Sequence, residues 1–292
     1  MEAGFIGLGL MGRPMAQHLA AAGHRLHLWA RRPATLDPFR DGIAQLHASP
    51  REVAQAADIV FTMVADGPDV EQVLFGDGGI AAGSRPGLAV VDMSTIPPQT
   101  ARRIAQRLAE SGIGFLDAPV SGGEVGAINA TLTIMVGGND EVYARVLPLF
   151  RCLGRTITLV GPNGAGQVAK ACNQILTGVG VLAVAEALNF ASASGVDPRR
   201  VREAMLGGSA ASKILENHGQ RMLDRNFRPR FKAWMHRKDV DIVLAEAARL
   251  GLRLPATAAA ANELHGMVDA GLGEEDSIAL FKRLEQLAPD AE

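Results

Sequence analysis

NGAGQVAKACNQILTGVGVLAVAEALNFASAS, residues 163–194, is the stretch on which the fold turns. It follows a Pro162-Asn163-Gly164 turn and contains no proline. At about 1.5 Å per residue, a helix here would run roughly 45 Å, longer than a small domain is wide. Lys170, Asn173, Gln174 and Thr177 recur at i, i+3, i+4 and i+7, which places them on one face of that helix. An ammonium and two amides on one stripe of an Ala/Val/Leu-rich helix need partners, because an unpaired buried charge is costly. The stretch reads as a bridge between two domains, with Lys170 turned toward the cleft between them.

N-terminal to the bridge, strands alternate with helices. Residues 3–8 (AGFIGL) form a short apolar run ending in glycines, the mark of a buried parallel strand, and residues 13–22 read as a helix closed by Gly23. Gly7, Gly9 and Gly12 spell G-x-G-x-x-G between them. In a dinucleotide-binding unit the first glycine makes the tight turn, the second admits the pyrophosphate, and the third packs helix on strand. The phosphates then rest on a helix N-terminus, whose free N–H groups and dipole favour an anion. A purely structural turn has the same spacing. The strand before and the helix after favour a cofactor lying along Gly7, Leu8, Gly9, Leu10, Met11 and Gly12.

The next strand, residues 25–30 (RLHLWA), ends where an NAD-binding unit usually places an Asp or Glu for the ribose 2′-hydroxyl. Here Ala30, Arg31 and Arg32 follow, and no acid comes until Asp37. Two forked guanidinium donors suit a 2′-phosphate, which favours NADP(H) over NAD(H). The alternative is a solvated pair of arginines.

Helices at 50–56, 68–75 and 97–111 and strands at 57–64, 87–93 and 113–117 continue the alternation. An α/β, doubly wound Rossmann-type parallel sheet with right-handed crossovers is therefore expected. Ligands of such sheets bind beyond the C-terminal ends of the strands. Met63, Val64 and Ala65 fall there, as do Ser94 and Thr95, and these would flank the adenosine and nicotinamide. So does DAPVSGG, residues 117–123. Its Ser121, Gly122 and Gly123 offer a hydroxyl and backbone N–H groups open to close approach. That is either a nest for a substrate carboxylate or an ordinary glycine turn. Strands at 131–136 and 156–160, with a helix at 141–152 between them, complete a first domain over 1–162.

C-terminal to the bridge, strands disappear. Helices at 198–206, 212–225, 231–250, 255–270 and 276–287 imply an all-α domain over 163–292. Lys238 and Asp239 sit among apolar neighbours, and Lys238 either lies at the surface, the reading its residues favour, or reaches toward the cofactor. His218, His236 and His265 are too far apart for a metal site, with no Cys or carboxylate cluster beside them, so no metal is expected. The bridging helix has more apolar surface than five short helices cover, which predicts a homo-oligomer, dimer or tetramer, packed through the helical domains.

Composition narrows the class. The 292 residues suit two domains. With 29 basic and 31 acidic side chains, a net charge of −2 offers no surface for nucleic acid or an anionic membrane. Cys152 and Cys172 have neither disulfide-framework nor zinc spacing and read as buried thiols in a reducing compartment. Glu2 and the lack of a basic leader argue against a signal peptide. The longest uncharged runs, such as 171–185, stop short of a membrane span, which takes ~18 residues. A soluble, cytoplasmic protein acting on a small molecule is expected.

Four motifs together resemble the β-hydroxyacid dehydrogenase family: GFIGLGLMGRPM at 4–15, DAPVSGG at 117–123, GAGQVAKACNQ at 164–174, and Lys238-Asp239. They fall in order and span nearly the whole chain. SGGEVGA at 121–127, IMVGG at 134–138 and GGSAASKILENHGQRM at 207–222 are more similar to the tartronate semialdehyde reductase branch than to the 3-hydroxyisobutyrate dehydrogenase branch. The resemblance implies that Lys170 is the catalytic lysine, assisted by Asn173. It further implies that Ser121, Gly122, Gly123 and Gln174 bind substrate, and that Thr95 and Lys238 join the cofactor contacts. Ala30-Arg31-Arg32 departs from members that carry an acid or an Asn-Arg pair there, and favours NADPH through Arg31. The implied reaction is hydride transfer to a carboxylate-bearing semialdehyde, tartronate semialdehyde to glycerate, with Lys170 as general acid. Alternatives are 3-hydroxyisobutyrate dehydrogenase or succinic semialdehyde/glyoxylate reductase chemistry. A non-catalytic NADP-binding protein is disfavoured because the lysine and the anion loop both stand.

Overall fold

The computed structural model describes residues 1–40, 42 and 44–287, which form two compact units, Met1–Lys170 and the chain from Ala171 onward. The first unit runs β1 (Glu2–Ile6), α1 (Gly12–Ala21), β2 (Arg25–Trp29), β3 (Ala44–Leu46), α2 (Pro50–Ala56), β4 (Ile59–Thr62), α3 (Gly67–Phe75), β5 (Ala89–Asp92) and α4 (Pro98–Ala109). It continues with β6 (Gly114–Asp117), β7 (Val120–Ser121), α5 (Gly123–Ile128), β8 (Leu132–Gly138), α6 (Asp140–Phe150) and β9 (Gly154–Gly161). The long helix α7 (Ala165–Ala193) carries the chain into the second unit, which adds α8 (Pro198–Leu206), α9 (Gln220–Leu223), α10 (Ala233–Arg249), α11 (Pro255–Met267) and α12 (Leu280–Leu287).

The strand order is β3-β2-β1-β4-β5-β6-β8-β7, with β9 also paired to β8. β1 to β6 are mutually parallel, as expected of a Rossmann-type sheet. β8 then runs antiparallel to β6 and β7, so the sheet is mixed. The stretch between Ser121 and Leu132 is too short for a parallel crossover, which takes about a dozen residues. Two apolar layers clothe the sheet because successive strand residues face opposite sides. Phe5, Phe61 and Phe150 lie in one layer and Ile6, Val60 and Val90 in the other.

Local departures from the sequence reading have local causes. β3 lacks an apolar run, and β7 and α5 replace what reads as one glycine loop. The helix expected over 212–225 begins as a wider π-turn at Ile214–Gly219, and the one expected over 255–270 is α-helical only to Met267 and passes into a π-turn at Val268–Leu272, where Gly271 takes φ 83°. Cys172 is exposed and Cys152 half-buried, so neither is the buried thiol expected, and both are free. By length and composition α7 is apolar enough to cross a membrane, which its shorter uncharged runs conceal. It is a core helix of the second unit, burying Val181, Val184, Ala185 and Leu188 with Leu215, Met222, Ile278 and Phe281.

Candidate active site

The three glycines of the fingerprint divide the work as the spacing implies. Gly7 has φ 99°, and a Cβ there would meet the Met63 carbonyl oxygen at 2.1 Å; at Gly12 it would meet the Gly7 carbonyl oxygen at 1.9 Å. These two positions are closed by packing. At Gly9 a Cβ would meet nothing within 4 Å, so backbone is left open at the one position where a pyrophosphate must approach. α1 starts here without an acidic residue in its first turn, and its N-terminal N–H groups favour an anion. Leu8 is buried, whereas Leu10 is 58% exposed. The cradle fits a dinucleotide.

Because β1, β2, β4, β5 and β6 are parallel, their C-terminal ends share one edge. Gly7, Arg31, Met63, Val64, Ala65 and Thr95 all follow strands along it, and Asp117 ends β6 there. Arg31 and Arg32 are exposed, and Nη1 of Arg31 pairs with Oδ1 of Asp69 on α3 at 2.9 Å. The ends of β4 and β5 are laced together. Asp92 Oδ1 accepts from Thr62 Oγ1 at 2.8 Å and from Ser94 Oγ at 2.7 Å, and Ser94 Oγ accepts the Val64 N–H at 3.0 Å.

The first turns of α7 are fastened to the same edge. Gly164 at the N-cap has no side chain to cap the helix, and the first turn holds no acid. Asp117, fully buried at the end of β6, caps it from outside: Oδ1 accepts the Gly164 N–H at 2.7 Å and Oδ2 the Gln167 N–H at 3.0 Å. The Gln167 side chain donates to Ser94 O at 2.8 Å and accepts the Ile96 N–H at 3.2 Å, gripping the loop that carries Thr95. One turn on, Nζ of Lys170 donates to Val120 O at 2.9 Å. Lys170 is 8% exposed, and Val120 adjoins Ser121, Gly122 and Gly123. Gly122 and Gly123 take φ 130° and 60° and begin α5, so this loop ends in a helix N-terminus. Burial pushes the Asp117 carboxyl up to about 7; the charge of Asp92 adds to this, and the Gly164 and Gln167 N–H groups oppose it.

In the second unit, Asn173 donates through Nδ2 to Gln174 Oε1 at 2.8 Å, and Gln174 donates through Nε2 to Asp239 Oδ2 at 2.8 Å. Asp239 is 3% exposed, and its Oδ1 pairs with Lys238 Nζ at 3.2 Å. Both ends of the Gln174 amide are engaged, the oxygen by Asn173 and the nitrogen by Asp239. Lys238 is half-buried in this network rather than simply solvated. Among the described residues, no group of three His, Cys, Asp or Glu side chains is arranged to hold a metal.

Residues 2–161 match the model for the NAD-binding domain of 6-phosphogluconate dehydrogenase, and residues 164–284 match that for the NAD-binding domain of NADP-dependent 3-hydroxyisobutyrate dehydrogenase. The 2-hydroxy-3-oxopropionate reductase of Escherichia coli (strain K12) is 48% identical over 99% of this chain and 98% of its own. This chain belongs to the β-hydroxyacid dehydrogenase family, on its 3-hydroxyisobutyrate dehydrogenase-like side. It is an NAD(P)-dependent oxidoreductase. A Mycobacterium tuberculosis 3-hydroxyisobutyrate dehydrogenase with L-serine superposes with a TM-score of 0.90 at 29% identity, covering 97% of this chain and 98% of that one. A complex of Psf3 with NADP+ and 2-OPP gives 0.87 at 26%, covering 97% and 99%.

The family's motifs correspond to the elements just described, with the cradle in the first, Asp117 and the 121–123 loop in the second, and the fastened turns of α7 in the third. The sequence reading singles out neither Gln167 nor Asp117. A usable signal existed, since Gln167 lies three residues before Lys170 on the same stripe and a glycine N-cap leaves α7 to be capped by something else.

Proposed function

We propose that this protein reduces 2-hydroxy-3-oxopropionate (tartronate semialdehyde) to glycerate with NADPH preferred over NADH. One observation carries the reading: a buried ammonium, Lys170, held 2.9 Å from the carbonyl that precedes the Ser121-Gly122-Gly123 loop. An amine and an anion nest side by side suit a substrate with a carbonyl next to a carboxylate-bearing carbon. The 48% identical reductase supports this substrate over the other semialdehydes of the family.

NADPH, with its pyrophosphate in the glycine cradle, would supply the hydride from its dihydronicotinamide. Residues 121–123 hold the substrate carboxylate through backbone N–H groups and the Ser121 hydroxyl. Lys170 holds the proton at Nζ and gives it to the aldehyde oxygen as that oxygen becomes an alcohol, stabilising the developing negative charge meanwhile. The neutral amine then takes a proton from solvent. Asn173, three residues along α7, positions the lysine or the substrate hydroxyl, and Thr95 and Lys238 serve the cofactor. Arg31 selects the 2′-phosphate. Leu176 and Phe190 of α7 are 72% and 75% exposed, which supports a homo-oligomer formed through the second unit.

The test is a panel of initial rates with tartronate, methylmalonate and succinate semialdehydes, each with NADPH and with NADH. Fastest turnover of tartronate semialdehyde with NADPH is expected. A higher kcat/KM on either other aldehyde would refute the substrate, and a preference for NADH would refute the role of Arg31.

A further inference from the structure

The socket of α7 holds buried polar groups that the chemistry above does not use. Asp117 satisfies the N–H groups of the N-cap and N3 positions, the two donors that a capping box satisfies with the helix's own side chains. The side chain at N3, Gln167, is thereby released from capping and binds Ser94 O and Ile96 N–H instead. Gly164, Gln167 and Lys170 follow one another at intervals of three residues, so successive turns of one helix face meet the ends of β6, β5 and β7. The approach is close enough to exclude side chains nearby. A Cβ at Gly166 would lie 2.4 Å from the Asp117 carbonyl oxygen, and one at Gly137 would lie 2.7 Å from Asp117 Oδ1.

We infer that Asp117 and Gln167 are positioning residues for the reaction: together they fix the depth and rotation of the first turns of α7, and so the point that Lys170 Nζ reaches. This rests on Lys170 being the proton donor. Three strand ends could be tied by apolar packing at lower cost, because burying a carboxyl group is costly and a buried amide must find every partner. The charge that acts on the Asp117 carboxyl is that of Asp92 of β5, and the Arg102 guanidinium of α4 lies beside Gly164. Polar ties fix direction as well as distance, and a proton donor must be aimed. Displacing a reacting group by about 1 Å costs on the order of 100-fold in rate.

Gln167→Met keeps side-chain length and removes both bonds to the 94–96 loop. Asp117→Asn keeps shape and turns one acceptor into a donor facing an N–H. These variants and Lys170→Ala are to be compared in the full-length protein by kcat, KM, NADPH dissociation constant, melting temperature and the isotope effect on kcat from the deuterated dihydronicotinamide. A further readout is the rate at which a small acylating reagent labels Lys170, followed by peptide mass spectrometry. We expect kcat to fall about 10- to 100-fold in Gln167→Met and at least as far in Asp117→Asn. NADPH affinity should stay within about two-fold, the isotope effect should rise, and Lys170 should be labelled several-fold faster. A structural role alone would lower the melting temperature and leave kcat per folded molecule, the isotope effect and the labelling rate at wild-type values; that result would overturn the inference. If Asp117→Asn does not fold, Gln167→Met decides alone. If Lys170→Ala itself turns over normally, the proton-donor reading fails instead, and the two failures are told apart.

Discussion

The two ends of α7 have similar helical character and opposite chemistry. Its first turns are polar where they are buried: Gln167 is 2% exposed, Lys170 8%, and each finds backbone partners. Further along it is apolar where it is exposed, with Leu176 and Phe190 largely in solvent. Each end inverts the ordinary rule that apolar groups go inside and polar groups outside, and an inversion of that kind marks function more than folding. At the first end the buried polar groups aim an amine. At the other, exposed apolar groups form the surface through which we propose that a second copy of the chain binds.

The contrast is broken most completely at the polar end. Lys170→Ala is expected to lower turnover at least about 1000-fold, within the range general acids contribute, while NADPH binds as before by fluorescence titration. Normal turnover would remove the purpose of the socket. Next comes pH. The Asp117 carboxyl titrates near 7 when folded, against an ordinary value near 3.8. A raised folded pKa adds stability that is complete below about pH 4 and is lost as pH rises through about 7. Urea unfolding at pH 5 and pH 8 should therefore show wild type losing, by upper estimate, on the order of 3 kcal/mol that Asp117→Asn does not lose. Parallel pH dependences for the two proteins would contradict this.

The exposed end gives the third test. Phe190→Asp, in a side chain already 75% exposed, should leave the folded unit intact and shift sedimentation from oligomer to monomer. A wild-type monomer at micromolar concentration would refute the interface. The smallest effects lie at Arg31. Arg31→Ala should weaken NADPH binding about 10-fold or more and spare NADH, since charge-assisted bonds are worth a few kcal/mol. Asp69→Asn, which frees the guanidinium from an exposed ion pair, should tighten NADPH binding only about two- to five-fold. Weaker NADPH binding in Asp69→Asn would mean that Asp69 orients Arg31 rather than competing for it.

The two ends of α7 also differ in how far they can be read from sequence. Lys170, Asn173, Gln174 and Thr177 announce a polar stripe because helical periodicity is local, and G-x-G-x-x-G between a strand and a helix is local in the same way. Partners are not local. That Asp117 reaches Gly164 and Gln167, that Asp69 answers Arg31, and that Gln174 spends its amide on Asp239 all depend on which strand ends and helices meet. The antiparallel return of β8 and the two-residue strand β7 escape for a related reason, since a glycine-rich loop states where the chain bends and not what it pairs with. The helical unit shows its helices by pattern, yet the π-turn at Ile214–Gly219 carries no such mark.

The most direct test of the central claim is a crystal structure with NADPH and tartronate, a diacid that resembles the substrate and cannot be reduced. The expected result has one tartronate carboxylate on the backbone N–H groups of residues 121–123. Lys170 Nζ should have moved from Val120 O to hydrogen-bond distance of the oxygen that stands for the aldehyde. Tartronate bound elsewhere, with Lys170 still on Val120 O, would contradict it.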